Sequence, residues 1–160
     1  MNITYEKISD FEKGTLHKLL VDAYSFDSSW RAHFYEDWIK FDNFFFQNLE
    51  IADKYGFVTV LDGKAIGHIS WDPRNMPDYV QIGHNCIASK YKGNRYGKKQ
   101  LQEAINRIRQ YEGLKKIIVG TNCNLIAPHN YESVGFTLCQ RRENLDDTFS
   151  GDYLDYEMIL

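Results

Sequence analysis

Residues 87–101 join an apolar, strand-like run to an amphipathic helix through a loop that is rich in glycine and basic residues. The first amide groups of a helix have no partner within the helix, and the helix dipole places partial positive charge there. A loop that enters such a helix is therefore suited to bind phosphate. Because the whole chain has a formal net charge of −3 and no extended basic face, this local excess of cations predicts a small anionic ligand. The cations are Lys90, Lys92, Arg95, Lys98 and Lys99.

Apolar runs bounded by turn residues predict seven strands along the chain. The pair Asp62-Gly63 is a strong signal for a two-residue hairpin, and it separates the second strand from the third. The strands are predicted at residues 2–8, 55–61, 65–71, 78–87, 116–120, 136–140 and 153–159.

Helical periodicity predicts four helices between these strands. The first is expected to be capped at Ser9-Asp10 and the second at Ser28-Ser29. The third leaves the glycine loop and is expected to end at Gly113, and the fourth covers residues 127–134. The order β α α β β β α β α β β predicts an α/β protein with a mixed sheet and helices on both faces. One domain, residues 1–160, is expected for this length.

Composition narrows the classes of function. Hydrophobic residues make up 43% and charged residues 26% of the chain, and no run of about 18 apolar residues is present. The start has no signal-peptide pattern, and three dispersed cysteines indicate a reduced, cytoplasmic setting. The histidines show no metal-ligand spacing, so no metal is predicted. The pI of about 5.9 argues against a nucleic-acid partner, and no membrane partner is predicted.

Two motifs give the chain a family resemblance. Residues 92–97 read Lys-Gly-Asn-Arg-Tyr-Gly, and the second motif comprises Asn124, Ala127, Tyr131, Glu132, Gly135 and Phe136. The chain resembles the GCN5-related N-acetyltransferases (GNAT), whose pyrophosphate loop reads Gln or Arg, two residues, Gly, one residue, Gly or Ala. Their second motif is Asn-x-x-Ala-x-x-x-Tyr-Glu-x-x-Gly-Phe. The resemblance implies the GNAT acyl-CoA N-acyltransferase fold, acetyl-CoA as cosubstrate, and transfer of an acetyl group to an amine.

The pyrophosphate loop departs from the family pattern at two positions. Lys92 stands where Gln or Arg is usual, and it still supplies a hydrogen-bond donor. Arg95 stands where the first motif glycine is expected, and it fits there if its φ is negative. Its guanidinium would then contact a phosphate directly; the alternative is that the substitution weakens binding. Because Gly93 and Gly97 are retained, we expect coenzyme binding to be retained as well.

The resemblance also implies which residues contact the coenzyme. In the family the sheet splays beside the fourth strand and the pantetheine arm bonds to that strand, which assigns backbone contacts to Asn85, Cys86 and Ile87. Asn124 is expected either to bond to this arm or to fix the loop before the last helix. The phosphate contacts are assigned to Lys92, Gly93, Asn94, Arg95, Tyr96, Gly97 and Lys98.

For catalysis, the resemblance makes Tyr131 the acid that protonates the departing CoA thiolate, and it also assigns Tyr131 to the coenzyme site; packing of its ring against the sheet is the alternative. Several family members carry a glutamate base on the fourth strand, where this chain has Gln81. The nearest titratable side chain is His84, which is the candidate base; His68 and a water relay are alternatives. Covalent catalysis by Cys86 is not favoured, because no histidine is paired with it.

The acceptor is the least constrained part of the prediction. An aromatic stripe from Trp30 to Phe41, with Phe34 and Trp38 between them, either lines an acceptor pocket or packs in the core. Acidic residues within and beside it either attract a cationic amine or form a solvated face; they are Glu36, Asp37 and Asp42. The predicted activity is acetylation of a primary amine of a small molecule or peptide. The alternative is a non-catalytic acyl-CoA sensor, and homodimerisation is left open.

Overall fold

A computed structural model describes all of residues 1–160. The strands are β1 (Ile3–Glu6), β2 (Gly56–Leu61), β3 (Lys64–Asp72), β4 (Val80–Ile87), β5 (Lys116–Asn122), β6 (Thr137–Arg142) and β7 (Tyr153–Ile159). The helices are α1 (Thr15–Ala23), α2 (Ser28–Gln47), α3 (Leu49–Lys54), α4 (Tyr96–Ile108) and α5 (Ala127–Ser133). The predicted mixed α/β sheet is confirmed, and α3 is an additional helix that the sequence did not reveal.

All seven strands form one sheet in the order β1-β2-β3-β4-β5-β7-β6. Every neighbouring pair is antiparallel except β4 and β5, which are parallel. This parallel pair is short, because it joins only Val80 to Ile117 and Gln81 to Ile118. Beyond Gln81, β4 stays paired with β3 as far as Ile87 but leaves β5. The sheet therefore opens into a wedge in its middle.

The start of α1 differs from the prediction. Residues Ile8–Asp10 form a short 3₁₀ turn, and α1 begins at Thr15 without a side-chain cap of its own. Its first amides instead donate to the buried carboxylate of Asp42 on α2, at 2.9 Å from Gly14 and 3.1 Å from Leu16. A local pattern could not predict this cap, because the carboxylate comes from a distant part of the chain. Asp42 is therefore not free to attract an amine.

Other helix boundaries were predicted to within a few residues. The cap of α2 is Asp27, one residue before the predicted serines, and its carboxylate accepts a hydrogen bond of 2.9 Å from the amide of Ser29. Helix α4 ends at Ile108, and Gly113 instead occupies a later turn with a φ of 74°. The predicted hairpin is present between β2 and β3. Positive φ values of 48° at Asp62 and 83° at Gly63 give the turn that such a pair favours.

Helices cover both faces of the sheet, and two large clusters of buried residues form most of the core. One cluster of 17 buried residues packs α4 and α5 against the sheet, and another of 11 packs α1, α2 and α3. Neighbouring residues of β2 belong to different clusters, since Phe57 lies in the first and Val58 in the second. Strand β2 is accordingly buried along its whole length. None of the helices combines the length and the apolar character needed to cross a membrane.

Candidate active site

The larger of two adjoining cavities lies beside the end of β4 that has left β5. Its volume is about 560 Å³, and it extends from β4 to the start of α4 and the loop before α5. The structure brings most of the predicted coenzyme residues together around this cavity. Those that line it are Asn85, Cys86, Ile87, Lys92, Gly93, Arg95, Gly97, Lys98 and Asn124.

The N-terminus of α4 opens toward this cavity. No side chain caps its first amides, so they are available to an anion such as phosphate. Gly97 allows the helix start to lie close to α5, because a Cβ there would be 3.0 Å from the side-chain nitrogen of Asn130. The uncapped helix end and the adjoining cations fit the pyrophosphate of a coenzyme A thioester.

The backbone at Arg95 corrects the expectation of a negative φ. Its φ is 66°, in the left-handed region, so arginine adopts the conformation that a glycine would take at this position. Left-handed backbone costs a residue with a Cβ about 1–2 kcal/mol. The Arg95 side chain is exposed, and it adds positive charge to the lining of the cavity.

Lys92 makes contacts that the sequence did not predict. Its ammonium donates to the backbone oxygen of Ala23 at the end of α1, and it lies 4.9 Å from the centre of the Phe26 ring. Partial burial lowers the pKa of Lys92, although nearby Cys86 and Asp22 act in the opposite direction. Lys92 therefore ties the glycine loop to α1, which leaves Arg95 and Lys98 as the exposed cations that line the cavity.

Two residues predicted to contact the coenzyme direct their side chains elsewhere. The amide of Asn94 donates to the backbone oxygen of Lys92 at 3.2 Å and so stabilises the loop itself. The ring of Tyr96 is buried in a small apolar cluster with Ile66 and Ile87. Any contact of Asn94 or Tyr96 with a phosphate is therefore limited to the backbone.

Asn124 fixes the loop before α5, which is one of the two roles expected for it. Its backbone amide donates to Oδ1 of Asn122 at 2.9 Å, and its side-chain amide donates to Oγ of Ser150 at 3.1 Å. The residue also lines the larger cavity. Through Ser150, it connects this loop to the segment between β6 and β7.

A second cavity of about 290 Å³ adjoins the first and shares lining residues with it, among them Tyr24 and Asn85. Most of the predicted aromatic stripe lines this second cavity, through Trp30, Phe34 and Trp38. The ring of Tyr24 is stacked between Trp30, at 5.3 Å and 7°, and Trp38, at 5.4 Å and 16°. Trp30 and Trp38 are also buried, so they both line a cavity and pack in the core; whether that cavity receives the acceptor stays a prediction.

The segment 143–152 between β6 and β7 closes one side of this aromatic region. Phe149 is buried, and its ring lies 5.3 Å from Trp30 and 5.2 Å from Phe34. A hydrogen bond of 3.0 Å between Nδ1 of His33 and Oγ1 of Thr148 adds a polar contact. Sequence reasoning missed this segment; its one signal was two apolar residues, Leu145 and Phe149, within a polar, turn-like stretch.

Tyr131 lies on α5 and lines the second cavity, next to Asn85, which lines both cavities. Its hydroxyl accepts a hydrogen bond of 3.1 Å from Nδ2 of Asn85. Burial raises the pKa of Tyr131 to about 12, against the opposing effect of that hydrogen bond. The phenol is therefore protonated at neutral pH and is able to act as an acid. Its ring also packs edge-on against Phe136 at 5.6 Å, so it contributes to the core as well.

His84 lines the second cavity, but its surroundings make it a weak base. Its ring lies 4.2 Å from Phe41, and burial lowers its pKa to about 4, with Asp37 acting in the opposite direction. The imidazole is therefore neutral and able to accept a proton. His68 lines neither cavity; its ring is wholly buried, Nδ1 bonds to the backbone oxygen of Phe57 at 2.9 Å, and its pKa is lowered by burial to about 3.

The structure gives no catalytic arrangement for the other residues considered in the sequence analysis. Burial raises the pKa of the Cys86 thiol to about 12, so that it stays protonated and is a poor nucleophile. Gln81 is exposed on β4, and Glu36 and Asp37 are exposed on α2.

The splayed sheet and the larger cavity fit a class of protein that binds a coenzyme A thioester between two diverging strands. The sequence pattern of the Acetyltransferase (GNAT) family matches residues 15–136, and the chain belongs to this family. Its members transfer acetyl groups from acetyl-CoA. The family resemblance inferred from residues 92–97 and from the motif around Tyr131 is thereby confirmed.

Solved structures share the fold over the whole chain. A ribosomal-protein-alanine N-acetyltransferase from Brucella melitensis superposes with a TM-score of 0.74 at 19% identity, covering 100% of both chains. The ribosomal-protein-S18-alanine N-acetyltransferase of Escherichia coli gives 0.70 at 17% identity, over 99% of this chain and 92% of that one. A GNAT family acetyltransferase from Elizabethkingia anophelis with acetyl-CoA bound gives 0.65 at 16%, over 99% and 97%. At these identities the likeness shows the fold alone. No curated protein is detectably similar in sequence.

Proposed function

We propose that this protein transfers the acetyl group of acetyl-CoA directly to a primary amine of a small molecule or peptide, in a ternary complex. The observation that carries the proposal is the hydrogen bond between the Tyr131 hydroxyl, which lines the aromatic cavity, and Asn85, which lines both cavities. A thiolate leaving group needs a proton, and a buried acid beside Asn85 would supply it without relying on bulk water. The larger cavity would hold the coenzyme and the aromatic cavity the amine.

The chain's own groups suffice for each role in this reaction. The backbone of β4 at residues 85–87, along the edge that β5 has left, would bond the pantetheine arm as an added strand does and polarise the thioester carbonyl. The first amides of α4, with Arg95 and Lys98, would hold the pyrophosphate. After the amine nitrogen bonds to the carbonyl carbon and the carbon–sulfur bond breaks, Tyr131 gives its proton to the sulfur. Transfer without an acetyl-enzyme is favoured, because the thiol of Cys86 stays protonated.

His84 is the proposed acceptor of the amine's proton, because it is the one histidine that lines the second cavity. A base with a pKa lowered to about 4 accepts a proton more readily from a more acidic donor. The positively charged nitrogen of the tetrahedral intermediate is more acidic than the free ammonium form of the substrate, so it is the better donor to His84. We therefore expect the amine to enter in its neutral form, so that activity rises with pH toward the amine's own pKa.

A thiol-release assay with acetyl-CoA tests the proposal across polyamines, aminoglycosides, amino acids and peptides with a free N-terminus. Two of the structural neighbours are N-acetyltransferases of ribosomal-protein alanine, so peptides that begin with alanine belong in the panel. Thiol release that depends on an amine, together with the acetylated product in a mass spectrum, is the expected result. The same release with and without amine would contradict the proposal.

A non-catalytic acyl-CoA sensor is the second candidate. It is favoured by the absence of a carboxylate at Gln81 and by the left-handed arginine at residue 95 of the phosphate loop. The two functions are separated by combining the amine panel with calorimetric titration of acetyl-CoA. Binding without turnover on any amine would support the sensor, whereas turnover that is lost in Tyr131→Phe would support the enzyme.

A further inference from the structure

Gln100 is a wholly buried amide on a face of α4 that is otherwise apolar. Its neighbours on that face are the core residues Leu101, Ala104 and Ile105. Buried amides require hydrogen-bond partners, and Gln100 has them on both of its polar atoms. Its Oε1 accepts a bond of 2.7 Å from the hydroxyl of Thr59. Its Nε2 faces the backbone oxygens of His68 and Cys86 and the side-chain oxygen of Asn85, at 2.9, 3.1 and 2.9 Å respectively.

The sheet is built to make room for this amide. Gly67 on β3 lies directly beneath it, and a Cβ at that position would be 2.5 Å from Oε1 of Gln100 and 2.8 Å from the backbone oxygen of Cys86. Any residue with a side chain at position 67 would therefore displace Gln100 from its partners. The network is accordingly a property of two elements together, a glycine on β3 and a glutamine on α4.

The partners fix the orientation of two amide groups in turn. Backbone oxygens only accept hydrogen bonds, so the NH₂ group of Gln100 has to face His68 and Cys86. The same NH₂ group faces Asn85, which has to present its oxygen to it. The NH₂ group of Asn85 then points the other way, to the hydroxyl oxygen of Tyr131 at 3.1 Å. Because an amide NH₂ only donates, Tyr131 accepts this bond, and its own proton remains available to another group.

We propose that Gln100 is a positioning residue, which acts through Asn85 to keep the Tyr131 hydroxyl a donor toward the coenzyme sulfur. The inference rests on the proposed function, in which Tyr131 protonates the thiolate. Without Gln100, the side-chain amide of Asn85 is free to rotate so that its oxygen and nitrogen exchange places. Its oxygen would then accept the Tyr131 proton, and the sulfur would lose its donor. Gln100 touches neither cavity, so its effect on the reaction is transmitted through these two side chains.

Binding of coenzyme A and desulfo-coenzyme A tests this without an acceptor amine. The two ligands differ only at the sulfur, so the ratio of their dissociation constants isolates contacts made there. We expect wild-type protein to favour coenzyme A increasingly between about pH 7 and about pH 10, as the thiol ionises. The gain is expected to be about tenfold or more, since hydrogen bonds to charged groups are the stronger ones. Tyr131 has a pKa of about 12 and remains a donor throughout this range.

The decisive comparison uses Gln100→Leu, Tyr131→Phe and the double variant. We expect the rise of the ratio with pH to disappear in both single variants. The double variant should give the same ratio as the single variants. Asn85→Asp, at a half-buried position that tolerates substitution better, is expected to lose the rise too, because a carboxylate only accepts. Thr59→Val is the matched control: it removes the hydroxyl partner of Gln100 but leaves the backbone oxygens that orient Nε2, so it should keep the rise.

Three outcomes would overturn the inference: no rise with pH in the wild type, a wild-type rise in Gln100→Leu, or equal losses in Gln100→Leu and Thr59→Val. None of these excludes acetyl transfer itself, which the amine panel tests separately, although no rise in the wild type would also count against Tyr131 as the donor. If acetyl transfer is detected and Tyr131→Phe loses it while Gln100→Leu keeps the pH-dependent ratio, the catalytic role of Tyr131 stands and the positioning role of Gln100 falls.

Discussion

The two cavities of this protein are built on different chemical principles. The larger one is formed by the end of β4 that β5 has left and by the uncapped first turn of α4, with exposed cations beside them. The smaller one is formed mainly by aromatic side chains from α2, Tyr24 and Tyr131. A ligand held by backbone and positive charge suits a pyrophosphate that is common to a whole family. A ligand held by side-chain shape is free to differ from one member to the next.

The two cavities also differ in the charge of their lining residues. No carboxylate lines the second cavity, and its one cation, Arg142, is paired with Asp155 at 2.7 and 2.9 Å. The aromatic cavity therefore offers an amine polarizable surfaces and a neutral imidazole at His84. A multiply charged polyamine would find no counter-charge there, so among the amines to be tested we expect those with one amine and an apolar body to react best.

The largest expected effect tests the point where the cavities meet. Tyr131→Phe keeps the ring and its packing but removes the proton donor, so we expect turnover to fall by ~10²–10⁴. Michaelis constants and the melting temperature should change little, because the lost interaction exists mainly in the transition state. Steady-state rates and a thermal melt on the same preparation check this. Wild-type turnover in the variant would remove Tyr131 from the mechanism.

His84, which lines the aromatic cavity, is expected to make the free energy of unfolding depend on pH in the acid range. Burial holds the pKa of His84 near 4 in the folded protein, compared with 6.5 when it is exposed. Below about pH 6.5 the unfolded chain binds a proton that the folded chain does not, so the free energy of unfolding falls as pH drops toward 4. The loss from this residue is at most about 3 kcal/mol.

Urea unfolding at several pH values measures that loss. His84→Gln should flatten the dependence between about pH 6.5 and about pH 4, since the titrating group is gone. Replacement of the exposed His129 by Gln is the matched control and should leave the curve unchanged. His68, whose pKa burial lowers to about 3, will keep part of the slope in both variants. Identical curves for wild type and His84→Gln would show that His84 titrates normally in the fold.

A smaller effect is expected from the segment between β6 and β7, whose loss should affect one cavity and not the other. Phe149→Ala removes a buried ring worth about 2 kcal/mol of packing against α2. If the segment orders the acceptor cavity, the acceptor's Michaelis constant should rise on the order of tenfold, with unchanged affinity for acetyl-CoA. Leu145→Ala in the same segment is the control, because Leu145 is 85% exposed. Equal losses of both affinities would mean that the ring supports the whole fold instead.

The difference between a cavity formed by backbone and one formed by side chains also explains which features the sequence could predict. The glycine loop was readable because phosphate binding at a helix start requires particular residues at fixed spacing, and the Tyr131 motif was identified through the family resemblance. Strands and most helices followed from periodicity. The aromatic stripe was ambiguous, because the helical spacing that lines a pocket is also the spacing that packs a core. The structure shows that Trp30 and Trp38 do both.

Features that depend on contacts between distant residues were not predictable. The cap of α1 comes from Asp42, and Lys92 is bound to the end of α1. Arg95 was expected at negative φ because a side chain disfavours the left-handed region, yet the turn into α4 holds it at 66°. Here the geometry of the phosphate loop overrides the preference of the residue, which is why a family pattern has glycine at this position.

The smallest expected effect concerns the coenzyme side. Arg95→Ala removes an exposed cation from the cavity lining, so coenzyme A affinity should weaken by about 1 kcal/mol at low salt and by less at high salt, because charge pairs are screened. Lys92→Ala should instead lower the melting temperature more than it weakens binding, since the ammonium already bonds to Ala23. Lys99→Ala is the control, because Lys99 is exposed but lines neither cavity. Calorimetry at two salt concentrations and a melt of each variant measure both effects. A loss in Arg95→Ala that does not depend on salt would point to an altered loop backbone instead of a missing charge.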